Sequence, residues 1–324
     1  MRKRLTSVLV GGLALAGLGI VGPAHAALTT SCNGHASGVT VPGDLVVQAG
    51  KACSLEDVTV KGNVRVAAGA DLVGENLTVE GNVTVQGDGY LDLRESTVTG
   101  NVANRGAYGI YLDYSEVNAY NGTGNNPDTF LWTYESIFNA RVAATGGSLL
   151  LESSVVDRAV QTTDTVYTDV LDSVVGGTLT VTGAEYGALV CGSEVDGHAT
   201  FASNGTGVQL GAGGALGACD LGPSVWGGNV LVSGTTGLAE VSDNIIRGNL
   251  DGTGNDAVTA SANRVRGELR GQFAEAATQR LMRMQLGAEA AGEATVERDV
   301  LEQLRSERLD RAEQQAEAAG PAGL

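Results

Sequence analysis

Valine, leucine and isoleucine alternate with polar residues in short phrases that return at a near-constant interval. "TVKGNVRV" (residues 59–66) is followed nineteen residues on by "TVEGNVTV", and nineteen after that by "TVTGNVAN". The unit is an apolar anchor, any residue, then glycine or a stand-in for it. Anchors fall at Val41, Val60, Val79, Val98, Val117, Phe138, Val156, Val175, Val195, Trp226, Ile246 and Val265, at intervals of 19, 19, 19, 19, 21, 18, 19, 20, 31, 20 and 19 residues. A fixed period of roughly 20 residues marks a solenoid, whose units bury their apolar faces only on their neighbours. An α-solenoid unit needs two helices and more than about 30 residues. The period-two alternation within each phrase is that of a strand. The pattern therefore predicts an all-β solenoid over residues 41–272, a parallel β-helix of about twelve coils. Parallel crossovers are right-handed in nearly all proteins, which predicts a right-handed coil. At roughly 4.8 Å per stacked strand, the rod should be on the order of 55 Å long.

Aligned on the anchors, the coils form columns. Seven residues before the anchor stand Cys53, Leu72, Leu91, Ile110, Leu131, Leu149, Thr168, Ala188, Cys219, Ala239 and Val258, a set expected to point inward. Two residues before it stand Ser96, Ser115, Ser136, Ser154, Ser173, Ser193 and Ser224, then Asn244 and Asn263, small hydrogen-bonding side chains suited to a tight turn. Three residues after it come Asn63, Asn82, Asn101, Asn229 and Asn249, which can bond from coil to coil. The glycine before this asparagine is expected to supply a corner with positive φ.

The ends of the chain differ from the repeats. Residues 1–26, "MRKRLTSVLVGGLALAGLGIVGPAHA", have a basic start, an apolar run and a small-residue cleavage site, the pattern of a secretory signal peptide. Its apolar run is short for a membrane span, and the mature chain contains no second one. Residues 27–40 are expected to cap the first coil. From residue 273 the composition turns to Ala, Glu, Gln and Arg, predicting an α-helical cap and tail over 273–324. Leu281 and Met284 form one apolar stripe, and Val296, Val300, Leu301 and Leu304 form another. Arg298/Glu302 and Glu307/Arg311 have i,i+4 spacing, and Gly287 and Gly292 should divide the segment. It reads either as a capping helix with a solvated tail or as a short coiled coil that drives assembly.

Charge and cysteine narrow the setting. The formal charge of −17 becomes −20 when Arg2, Lys3 and Arg4 leave with the leader, which argues against nucleic acid as a partner. All four cysteines lie in the exported part. Cys32 and Cys53 fall at similar register in adjacent coils. Cys191 and Cys219 flank the 31-residue interval. The pairings Cys32–Cys53 and Cys191–Cys219 are therefore expected. Zinc is the rival reading, and the lack of any CxxC pair or nearby histidine disfavours it, so no metal or cofactor is expected. An extracellular, secreted, cell-wall-associated protein fits these features.

Chemistry is sparse. Outward positions carry Asp92, Asp113, Glu135, Asp169 and Asp172, but a glycosidase or lyase needs carboxylates that converge on one bond, with a basic partner for proton abstraction. The acids appear scattered along the rod without an adjacent Arg or Lys. His198 falls in the asparagine column and reads as a turn residue. The aromatic distribution is more distinctive: nine of the fourteen Phe, Trp and Tyr lie between Tyr90 and Phe138. Register places Tyr111 and Trp132 one coil apart in an outward column. With Tyr90, Tyr114 and Tyr134 they form either a binding patch in coils three to five, able to stack on sugar rings or a protein, or a set packed against the loop of residues 121–128.

The phrases "GNVRV", "GNVTV", "WGGNVLVSGTTGLAEVSDN" and "ANRVRGELRGQF" resemble a group of secreted actinobacterial repeat proteins with GNV/GGNL-type units. The resemblance covers about residues 40–273. It implies a β-helix and no active site. A looser similarity is to bactofilins, polymer-forming β-helices that are typically cytoplasmic. The sequence thus leads to a non-catalytic structural or adhesive protein of the cell surface, with itself or wall glycan as partner. The alternatives are a carbohydrate-binding module and, third, a polysaccharide-active enzyme.

Overall fold

The computed structural model of the protein describes residues 28–123, 127–276 and 287–324, with the side chains of the last segment described from 299 on. The expected leader lies outside the described residues, as do Leu281, Met284 and the side chains of Val296 and Arg298. The fold is a parallel β-solenoid of about 13 turns followed by helix. Each coil contributes three strands, as in Thr59–Val60, Val64–Val66 and Asp71–Glu75. The next coil pairs on all three in parallel: Val60 with Val79, Val64 with Val83 and Leu72 with Leu91. Among the described residues the third face is a sheet of 12 strands, from Gly34–Ser37 to Ala257–Ser261. The other two faces join into one sheet because Thr97–Arg105 and Glu116–Thr123 run on across the corner between them.

The anchor column and the column seven residues before it form the core. Val60, Val79, Leu72, Leu91, Ile110 and Leu149 are fully buried. Cys219 does not belong to that column. Counting back from Trp226 crosses the long interval, and the residue in register between Ala188 and Ala239 is Val208. The extra residues form a loop that Cys219 ties to Cys191. Gln209 holds the same loop, its Oε1 accepting from the amides of Leu216 and Gly217 at 2.7 and 3.1 Å. The other bridge, Cys32–Cys53, joins the first two coils inside the core.

Two columns are continuous hydrogen-bond ladders. The buried amides of Ser96, Ser115, Ser136 and Ser154 each donate to the serine Oγ of the following coil at 2.9–3.2 Å. At the opposite corner, Asn82 and Asn101 donate their amides to the Oδ1 of Asn63 and Asn82, each at 2.9 Å. Asp44 begins this ladder, and His198 enters it by accepting from the Asn229 amide at 2.9 Å.

The glycines of that corner have another role than the expected one. Gly62, Gly81 and Gly100 are absent from the positive-φ positions. They are glycine because coils touch there: a Cβ on Gly81 would stand 2.6 Å from the Gly62 carbonyl oxygen. Left-handed backbone occurs at the corner three residues before the anchor, at Asp57, Asn76, Glu95, Tyr114, Glu135, Ser153 and Asp172, with φ between 43° and 53°.

The ends are closed from the C-terminal side. Helix α1 (Gln272–Ala276) lies across the last coil and sinks Phe273 into the core with no exposure. Residues 28–37, expected as a cap, are themselves solenoid strands. Their edge is covered by the far end of the chain. The His35 amide donates to the Gly320 carbonyl at 3.0 Å, and the Ala322 amide to the His35 carbonyl at 2.7 Å. Between these ends runs helix α2 (Gly287–Ala319). It passes through Gly292 without a break, and from residue 301 it packs along the third face instead of standing as a solvated tail. No helix among the described residues is long and apolar enough to cross a membrane.

Two substitutions test this account. Gly81→Ala should destabilise the rod by about 1–3 kcal/mol through backbone overpacking, whereas Gly214→Ala, with open space around it, should be near neutral. Ser136→Ala strands the buried Ser115 amide and should cost about 1–3 kcal/mol. Thermal and denaturant unfolding of the variants measure both.

Candidate functional site

The third face carries its outward residues in three adjacent columns in the aromatic coils. Register aligns Asp71, Tyr90 and Gly109 in one column, Val73, Asp92, Tyr111 and Trp132 in the next, and Glu75, Arg94, Asp113 and Tyr134 in the third. Gly109 leaves room for the Phe130 ring, which would overlap any Cβ there. Phe130 then packs on Trp132 with ring centres 4.8 Å apart. The Trp132 indole donates to the Tyr167 hydroxyl at 2.9 Å.

Helix α2 covers this surface. Leu301, Leu309 and Ala312 join Val73, Tyr90, Phe130, Trp132 and Leu150 in one apolar cluster separate from the main core. The buried helix positions 301, 305, 309, 312 and 316, with the partly buried 308 beside them, follow the 3–4 spacing of a single face. Val300 and Leu304, from the expected apolar stripe, point to solvent at 47 and 42% exposure. Glu302 pairs with Arg305 one turn on, Nη2 to Oε1 at 2.7 Å, and Gln303 donates to Glu307 at 2.9 Å.

Two arginines bring charge to the interface. Arg308 donates from Nε to Asp71 Oδ1 at 2.9 Å and from Nη2 to the Asp88 carbonyl at 2.9 Å, with its guanidinium 5.0 Å from the Tyr108 ring centre. Arg305 lies 4.1 Å above the Tyr111 ring centre, with Nη1 3.4 Å from Asp92 Oδ2. Asp92 is completely buried. It accepts from the Tyr90 hydroxyl at 2.7 Å and has Arg94 Nε 3.3 Å away. Burial raises the pKa of both Asp71 and Asp92 above the ordinary carboxylate value, against the opposing pull of Arg308 on Asp71 and of Tyr90, Arg94 and Arg305 on Asp92. Removing these two acids from water thus outweighs the stabilisation that their cations return.

Of the aromatic candidates, Tyr90 and Trp132 are sealed, at 0 and 2% exposure. Tyr111 and Tyr134 are half-buried, with ring centres 5.7 Å apart. Tyr114 remains open at 58% exposure; its hydroxyl donates to Glu135 at 2.7 Å and its φ is 47°. Helix α2 covers the patch; residues 124–126 of the loop expected there lie outside the described residues. The acidic candidates do not converge. Asp92 lies under the helix and Asp113 is in register with Arg94. Asp169 is buried between Leu150 and Leu189, while Glu135 and Asp172 occupy the left-handed corner. Arg94 and Arg305 stand beside Asp92, so that acid does have basic neighbours, contrary to the sequence reading. Among the described residues no three His, Cys, Asp or Glu gather as a metal-holding group.

Arg305, Arg308, Leu309 and Ala312 were not singled out from the sequence, and Leu301 was named only as part of a stripe with Val300 and Leu304. The signal was present as two arginines and two leucines on one helical face, matched by Asp71 and Asp92 one coil apart on a strand face. Comparison with protein-family models, curated proteins and solved structures gives no match.

Two outcomes follow for the helix seat. The full-length Arg305→Ala/Arg308→Ala variant should expose Trp132 to iodide quenching and shift its emission to the red, while Trp226, buried in the main core, stays dark to the quencher. The second concerns pH. An acid whose folded pKa is raised stabilises the fold below its unfolded pKa, and that contribution is lost as pH rises through the folded value. Wild type should therefore gain stability on acidification from neutral pH toward pH ~4, and Asp92→Asn should show a smaller gain. Melting temperatures across pH measure it.

Proposed function

We propose that the chain is a non-catalytic structural rod of the extracellular or cell-wall space, closed on itself by its C-terminal helix. The observation that carries this reading is the covering of the aromatic and acidic groups best suited to ligand chemistry. Tyr90, Phe130, Trp132, Asp71 and Asp92 are all engaged in seating α2. Two further features support it. Both disulfides are of the kind that persists in oxidising compartments. Both ends of the stack are covered, by Phe273 at one end and by Gly320–Ala322 at the other, which favours a discrete rod over an open filament.

A second reading rests on the flank that α2 leaves open. Tyr111 and Tyr134, half-buried with rings tilted to one another, lie beside the exposed Tyr114, whose ring could take a sugar ring or a partner surface. Such a site would use three of the five aromatic candidates and leave Tyr90 and Trp132 as its support.

Small-angle scattering and light scattering of residues 27–324 should give an elongated particle of one chain mass at low protein concentration. Incubation with neutral and anionic polysaccharides should release no reducing ends and no unsaturated uronate. Turnover of any of these polymers would overturn the structural reading. Saturable glycan binding abolished by Tyr114→Ala, with the fold intact, would move the second reading ahead of it.

A further inference from the structure

The seat of α2 is a preformed helix-docking site, and its contacts differ in kind from those that build the rod. Coil pairs with coil across about one repeat, as in Ser96 with Ser115 at a separation of 19. The clasp instead joins Arg305 to Asp92 and Arg308 to Asp71 across 213 and 237 residues. Contacts of such separation form late, after the local stack has closed. A stacked rod with its helix still undocked presents Tyr90, Phe130 and Trp132, two carboxylates and the open edge of Gly34–Ser37. This surface is complementary to a helix carrying leucines and two arginines at the spacing of Leu301, Arg305, Arg308 and Leu309. Every copy of the chain carries that helix.

We infer that the seat accepts the C-terminal segment of a second copy, producing a dimer in which each rod is closed by its partner's residues 299–324. The exchange creates no contact absent from the single chain: Arg308 meets Asp71, Arg305 meets Asp92 and Tyr111, and Gly320–Ala322 pairs with His35, only from the other molecule. Cis and trans closure therefore differ only in how the helix is supplied. The covalent connection of α2 to its own rod sets an effective concentration for cis closure, so trans closure gains ground as the concentration of copies approaches it. The inference goes beyond the structural reading. A rod that is always monomeric would overturn the exchange and leave that reading standing.

The test uses full-length chains with the disulfides intact. Two dye-labelled populations of wild type are unfolded and refolded together at high and at low protein concentration, then separated by size. The expected result is a dimer showing energy transfer, its fraction rising with refolding concentration and lost in Arg305→Ala/Arg308→Ala. Monomer at every concentration, or a dimer indifferent to those arginines, overturns the inference. A charge exchange gives a second reading. Asp71→Arg alone and Arg308→Asp alone each set like charges against one another in cis, whereas in a mixture both trans pairings are of opposite sign. The mixture should yield a one-to-one heterodimer by light scattering. Two monomers in that mixture, with the chain bearing both substitutions still closed, would count against exchange.

Discussion

Every coil of this protein depends on the backbone of the next, and that dependence accounts for most of the sequence. A strand in the stack has its amides and carbonyls paired only if a neighbour arrives in register on both sides. The corners must therefore repeat without drift. Serine Oγ accepts the amide of the preceding coil at a buried corner, where that amide would otherwise be stranded in the interior, and asparagine Oδ1 accepts the amide of the following coil at an exposed corner. Gly81 and Gly100 are needed where successive backbones meet too closely for a Cβ. The same rule makes the ends a problem, because a stack that works by offering its edge to the next coil still offers it when the coils run out.

The chain closes both ends with its own last fifty residues, and the aromatic face follows from that. Phe273 plugs the C-terminal end. To reach the other end, the chain must travel back along the outside of the rod, and α2 needs a track. Outward Tyr90, Phe130, Trp132 and Leu150 supply apolar surface that a solvated sheet face would not carry. Asp71 and Asp92 supply something else. Their burial is unfavourable in itself, as the raised pKa of each indicates, so they add little to net stability. What they contribute is position. An unpaired buried carboxylate is far worse than a paired one, and the seated helix brings Arg308 to Asp71 and Arg305 to Asp92. The same seating carries Gly320–Ala322 to His35.

The fold was legible because its determinants are periodic. The anchors, the inward column and the serine ladder can be read by counting; the Cys32–Cys53 pairing follows from register and the Cys191–Cys219 pairing from the long interval between them. Counting failed at Cys219, where the extra residues of the long interval displaced the column and Val208 holds its place. It failed in kind at the corner glycines: a sequence shows that glycine recurs, but positive φ and close approach leave the same trace. The seat of α2 was not legible for a different reason. Its partners are separated by more than two hundred residues and share no period, so nothing in the repeat relates Arg308 to Asp71. A buried acid column also looks like a surface one until the element that buries it is known.

The outward aromatics show how the two readings of such a patch divide. Exposed tyrosine and tryptophan on a flat strand face suit a sugar ring because they offer apolar area with a polar edge, and those same properties suit an amphipathic helix. What separates the cases is the charge set between the rings. Asp71 and Asp92 stand one coil apart, below Tyr108 and Tyr111, and each is met by a guanidinium that also covers an aromatic ring. A neutral glycan would bring no cation to either carboxylate, leaving Asp92 only Tyr90 and Arg94, whereas a helix with arginines three residues apart meets both at once. The chemistry of the patch thus suits a helix that sets arginines among the apolar residues of its buried face. At the rim only Tyr114 stands open, its hydroxyl on Glu135, beside the half-buried Tyr111 and Tyr134.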